Sequence, residues 1–68
     1  MNKNFCERML YLRQEKGIGQ VKLAKELNIG KATISYWENG KSEPTLSHLI
    51  AIANYFNVTI DYLAGLED

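Results

Sequence analysis

Few side chains in this sequence could make or break bonds. The one cysteine, Cys6, and the one histidine, His48, cannot fill a four-ligand metal shell, and a lone cysteine cannot close an internal disulfide. No carboxylate or nucleophile is marked as a partner for His48, so acid–base catalysis has no visible constellation. A bundle this small also offers no large pocket, which makes an enzyme a distant reading. No cofactor, metal or small-molecule ligand is implied. The chemistry left is surface recognition. Apolar Ile34 and Trp37, three apart, mark the inward side of a helix, which turns Lys31, Ala32, Ser35 and Tyr36 outward. Lysine favours the O6 and N7 acceptors of guanine, and an alanine methyl suits the methyl of thymine. A tyrosine hydroxyl can reach a phosphate or a base edge.

The elements that must position these groups are helical throughout. Phe5, Met9 and Leu12 place a first helix over about residues 4–16, stopped by Gly17. Leu23, Ala24 and Leu27 mark a second helix over 20–27, and Asn28 can take the left-handed turn that follows. The third runs over about 31–38. Thr45 caps a fourth over 45–55, with Leu49, Ile52, Ala53 and Phe56 inward. Thr59 caps a short fifth over 59–64, ended by Gly65, with Val58, Tyr62 and Leu63 closing the core. No segment alternates with period two, so no sheet is expected. Residues 1–68 are expected to form one all-α domain, a compact bundle of five short helices. The second and third helices, joined by a three-residue turn, fit a helix-turn-helix, but by itself that pattern also suits a plain helical hairpin.

Charge first argues against a nucleic-acid partner. Eight basic and eight acidic residues cancel. The sum hides a division: residues 1–41 carry net +4, and residues 42–68 carry −4 with no Lys or Arg. A basic helix-turn-helix half and an acidic remainder make neutrality compatible with DNA. The longest apolar run, Leu49–Ala53, is far short of a membrane span, and no signal-peptide core follows Met1. The expected setting is the reducing cytoplasm, away from membranes.

Taken together, three segments resemble the Cro/CI-type family of phage-repressor and XRE-like regulators. The first is Phe5-x-x-Arg8-Met9-x-x-Leu12-Arg13-x-x-x-Gly17-Ile18-x-Gln20-x-x-Leu23-Ala24. The second is Ile34-Ser35-x-Trp37-Glu38-Asn39-Gly40-Lys41 followed by Pro44. The third is Leu49-x-x-Ile52-Ala53-x-x-Phe56-x-Val58-x-x-Asp61-Tyr62-Leu63. The match runs in one register over residues 5–66. It implies a lambda-repressor-like fold and a homodimeric, sequence-specific regulator, a repressor on a near-palindromic double-stranded DNA operator.

By position, the resemblance implies a phosphate contact for Gln20. It puts Lys31, Ala32, Thr33, Ser35 and Tyr36 on the recognition helix, and brings Asn39, Gly40 and Lys41 to the DNA backbone. Arg13 and Glu38 match a pair that in the family bridges the first helix to the end of the third. Leu46, Val58, Ile60 and Leu66 are the expected dimer surface. The alternative is a protein-interaction module, such as an antitoxin-like or anti-repressor component.

Some positions depart from the family or have plainer readings. Gly19 and Gly30 stand at N-caps where the family usually has Ser or Thr, an exchange worth only a few tenths of a kcal/mol. Leu10 and Tyr11 stand where it is usually charged, either as a partner patch or as scattered surface residues. Trp37 is expected in the core rather than as a stacking platform. His48 is expected on the surface, Cys6 as partly buried filler, and Lys22 and Lys25 on a solvated face.

Overall fold

The computed structural model describes residues 3–67. Five helices follow one another: α1 Lys3–Lys16, α2 Gln20–Leu27, α3 Lys31–Glu38, α4 Leu46–Phe56 and α5 Ile60–Ala64. No strand occurs among the described residues. α2 and α3 span the expected residues, α1 and α5 differ from expectation by one residue at the start, and α4 is shifted by one residue at both ends. Thr45 and Thr59 lie just outside α4 and α5 as caps, accepting from the N–H of His48 and of Tyr62.

All five helices end in the same way. A residue with positive φ follows each: Gly17, Asn28, Gly40, Asn57 and Gly65. The next N–H then reaches back to a carbonyl five residues earlier. These bonds are Ile18 to Arg13 at 3.3 Å, Ile29 to Ala24 at 2.9 Å, Lys41 to Tyr36 at 2.8 Å, Val58 to Ala53 at 3.0 Å and Leu66 to Asp61 at 2.8 Å. This closure satisfies carbonyls that a helix end leaves open, and a residue after the turn usually packs back on the last turn. Four of the five following residues are aliphatic. The fifth is Lys41, exposed just beyond the end of α3.

Every helix contributes to one core of Phe5, Met9, Leu23, Ala24, Ile34, Trp37, Ile52, Ala53 and Leu63. Burying each large member contributes about 1.5–3 kcal/mol. Trp37 is central: its ring meets Phe5 edge-on at 6.0 Å and His48 at 5.2 Å. His48 is thus not the free surface residue expected from sequence, because its ring covers one side of the buried indole. Leu10 is half-buried, which leaves Tyr11 as the exposed member of that pair. Cys6 is half-buried, and Lys22 and Lys25 are exposed.

The first and last helices are fastened by Arg8. Its guanidinium lies 4.4 Å from the centre of the Tyr62 ring and donates to the carbonyls of Tyr62 and Glu67. The Glu67 carboxylate accepts from the Thr59 hydroxyl. Lys16 lies 4.7 Å over the Tyr55 ring, a second cation–aromatic contact that links α1 to α4.

Candidate nucleic-acid interface

The buried pair Ile34 and Trp37 fixes how α3 is rotated. With those two inward, Lys31, Ala32 and Tyr36 are exposed, while Thr33 and Ser35 are half-buried at the margins. Tyr36 keeps half its surface in solvent, 50%. An eight-residue helix is about 12 Å long, close to the roughly 12 Å width of the DNA major groove. The outward set joins a cation, a methyl, hydroxyls and a phenol on one convex surface.

A bidentate ion pair ties this helix to α1. Arg13 Nε donates to Glu38 Oε2 at 2.7 Å and Arg13 Nη2 to Oε1 at 3.1 Å. Arg13 Nη1 donates to the Ile18 carbonyl at 3.0 Å. The side chains of Arg13 and Glu38 are 15% and 6% exposed, so solvent screens the pair little. Hydrogen bonding to Glu38 holds the Arg13 pKa above its ordinary value, against the opposing cost of burial.

Gln20 enters the same cluster, where its Nε2 donates to Glu38 Oε1 at 2.9 Å. The family resemblance implies a phosphate contact for Gln20. In the structure it is also the second partner of the Glu38 carboxylate, after Arg13, and is half-buried at the start of α2. No local pattern in the sequence announces a bond across 18 residues.

Asn39, the C-cap of α3, is exposed. Its Nδ2 donates to the Ser35 carbonyl at 2.9 Å and to Ser35 Oγ at 3.2 Å. Lys41 is exposed just beyond. The N-termini of α2 and α3, capped by Gly19 and Gly30, have no side-chain cap hydrogen bond. Among the expected dimer residues, Leu46 and Leu66 are open at 66% and 77% exposure. Val58 and Ile60 are half-buried and pack against the core, so much of their surface is already used.

A family model described as helix-turn-helix matches residues 9–63. The chain belongs to the helix-turn-helix family. Its position there is the Cro/CI-type, XRE-like group of transcriptional regulators, which are not enzymes. This helix-turn-helix chain is 39% identical over 64 residues to the HTH-type transcriptional activator BcrR of Enterococcus faecalis, covering 94% of this chain and 31% of BcrR. It therefore spans less than a third of that relative's length, and about half of the regulator ImmR of Bacillus subtilis, at 49%. In three dimensions it is similar to the P22 c2 repressor solved in complex with a synthetic operator. There the TM-score is 0.84 at 30% identity, covering 90% of this chain and 92% of that one. A transcriptional regulator from Listeria innocua is similar at TM-score 0.86 and 33% identity, covering 94% of this chain and 60% of that one. These likenesses bear out the family and the five-helix, lambda-repressor-like fold that the sequence motifs imply.

Proposed function

We propose that residues 1–68 form one DNA-binding domain that regulates transcription by reading double-stranded DNA with α3 in the major groove. The observation that carries this is the rotation of α3. Ile34 and Trp37 are buried, which leaves Lys31, Ala32 and Tyr36 exposed on a helix of groove dimensions. Lys31, at the leading end of the helix, takes a guanine edge, and Ala32 takes a thymine methyl. Thr33, Ser35 and Tyr36 add polar contacts. Gln20, Gly40 and Lys41 approach phosphates on either side. Asn39, the exposed C-cap of α3, approaches the backbone beside them.

The acting form is a homodimer on a near-palindromic operator. One copy carries one such helix, and its longest Cα dimension is 28 Å, below the roughly 34 Å between successive major grooves. Leu46 and Leu66, both open, are the apolar residues proposed for the twofold contact, flanked by Val58 and Ile60. Occupying the operator represses by position. The proposed setting is the cytoplasm, and no described helix is long and apolar enough to cross a membrane.

The test is selection from random duplex DNA, followed by titration of the selected sequence across salt concentrations. The account expects one enriched near-palindrome and a linear fall of log affinity with log salt, with a slope of about −0.9 per phosphate neutralised. Weak binding without sequence preference at low salt overturns it, and favours the protein-interaction alternative.

A further inference from the structure

Leu66 is the most exposed large apolar side chain among the described residues, at 77%, yet the backbone that carries it is held from several sides. Its own N–H donates to the Asp61 carbonyl at 2.8 Å. Arg8 Nη1 donates to the carbonyls of Tyr62 and Glu67, with the guanidinium against the Tyr62 ring. The Glu67 carboxylate accepts from the Thr59 hydroxyl, which itself accepts from the Tyr62 N–H at 3.0 Å. On the other side of Leu66, Gly65 stands so near α1 that an added Cβ would lie 2.6 Å from Asn4 Cβ. Asn4 and Arg8 are one helical turn apart and share a face of α1. They meet residues 65 and 67, with Leu66 between.

Resting on the reading that Leu66 lies in the twofold contact, we infer that Arg8 is a positioning residue for dimerisation. From α1 it fixes the backbone that presents Leu66 to a second copy. Leu66 is outside the core, so the core gains nothing from its being held in place. Association does gain: a side chain already ordered in the single copy loses little further freedom when it is buried between two. A twofold contact uses the same residue from both copies, so the advantage acts twice. Arg8 thus strengthens cooperative operator binding through Leu66.

The experiment titrates duplexes carrying two half-sites or one, and reads cooperativity as the ratio of the two affinities. It compares wild type, Arg8→Met, Leu66→Ala, the double variant and Lys16→Ala, with thermal melts alongside. Methionine keeps a long apolar stem against the Tyr62 ring and removes the donors. Arg8→Met is expected to lower cooperativity about tenfold and leave single half-site affinity unchanged. In the double variant Arg8→Met adds nothing to Leu66→Ala, because both act through one side chain. Lys16→Ala breaks the other cation–aromatic contact of α1, so it lowers Tm but not cooperativity. If Arg8→Met does not fold, Glu67→Ala, an exposed change that releases Glu67 from Thr59, takes its place with the same direction expected. Four results overturn the inference: cooperativity is unchanged, a single half-site loses as much, the effect adds to that of Leu66→Ala, or Lys16→Ala lowers cooperativity equally. Leu66→Ala separates these from failure of the dimer reading. If wild type binds without cooperativity, or Leu66→Ala leaves it intact, the twofold contact proposed at Leu66 falls and takes this inference with it.

Discussion

Arg13 grips both carboxylate oxygens of Glu38, at 2.7 and 3.1 Å, and so joins the last turn of α1 to the last residue of α3. A forked guanidinium on a carboxylate fixes orientation as well as distance. Gln20 binds the same carboxylate from the start of α2. Three helices therefore meet on one buried acid, and the helix that presents Lys31 and Tyr36 is held at a defined angle to the rest of the fold.

Breaking that cluster is expected to be costly. Glu38→Ala strands a largely buried guanidinium and should cost about 3 kcal/mol in urea unfolding, more than Gln20→Ala, which removes one neutral hydrogen bond. The Arg13 pKa is raised in the fold, so its contribution is complete below its unfolded value, far into the alkaline range, and is lost only as pH rises through the still higher folded value. Between pH 6 and about 10 the guanidinium should therefore add no slope to stability. A smaller loss for Glu38→Ala than for Gln20→Ala would contradict this assignment.

Substitutions on the outer face of α3 should separate binding from stability. Lys31→Ala or Tyr36→Ala is expected to weaken specific binding by about 1–3 kcal/mol with Tm nearly unchanged. Lys41→Ala should instead weaken binding to all sequences alike and reduce the salt slope by about one. Polarisation titrations at several salt concentrations distinguish the two classes.

The glycines divide by backbone and by space. Gly19 and Gly30 have extended backbone and nothing within 4 Å of a built Cβ. Serine there should gain a few tenths of a kcal/mol through a hydroxyl cap. Gly65 has φ +84°, and a Cβ would stand 2.6 Å from Asn4 Cβ. Gly65→Ala should cost at least the roughly 1–2 kcal/mol of left-handed backbone, read as a lower midpoint in chemical denaturation.

Leu46→Lys and Leu66→Lys test the proposed twofold contact. Both positions are open in one copy, so either charge should leave the fold intact while making binding to a two-half-site duplex less cooperative. Sedimentation of the protein–DNA complex would show the change in stoichiometry. Unchanged cooperativity for both variants would move the dimer surface elsewhere.

Much of the fold is legible locally, because helix ends are written in single residues. Gly17, Asn28 and Gly65 mark left-handed closures, and Thr45 and Thr59 mark caps. Asn57 closes α4 in the same way as Asn28 closes α2. The outward face of α3 follows from Ile34 and Trp37. What spacing alone does not reveal is where long polar side chains end. Arg8 folds onto the Tyr62 ring, and Gln20 turns to Glu38. His48 covers Trp37. Such contacts join residues far apart in the chain through flexible side chains, and hydrophobic periodicity carries no information about them.

The central claim is that α3 reads base edges in the major groove, and dimethyl sulfate protection at guanine N7 tests it most directly, since N7 lies in that groove. On the selected DNA, the account predicts protected guanines in two half-sites about 10 base pairs apart on one face of the duplex, with one guanine per half-site deprotected by Lys31→Ala. Bound DNA with no protected guanine, or protection that Lys31→Ala leaves intact, would contradict it.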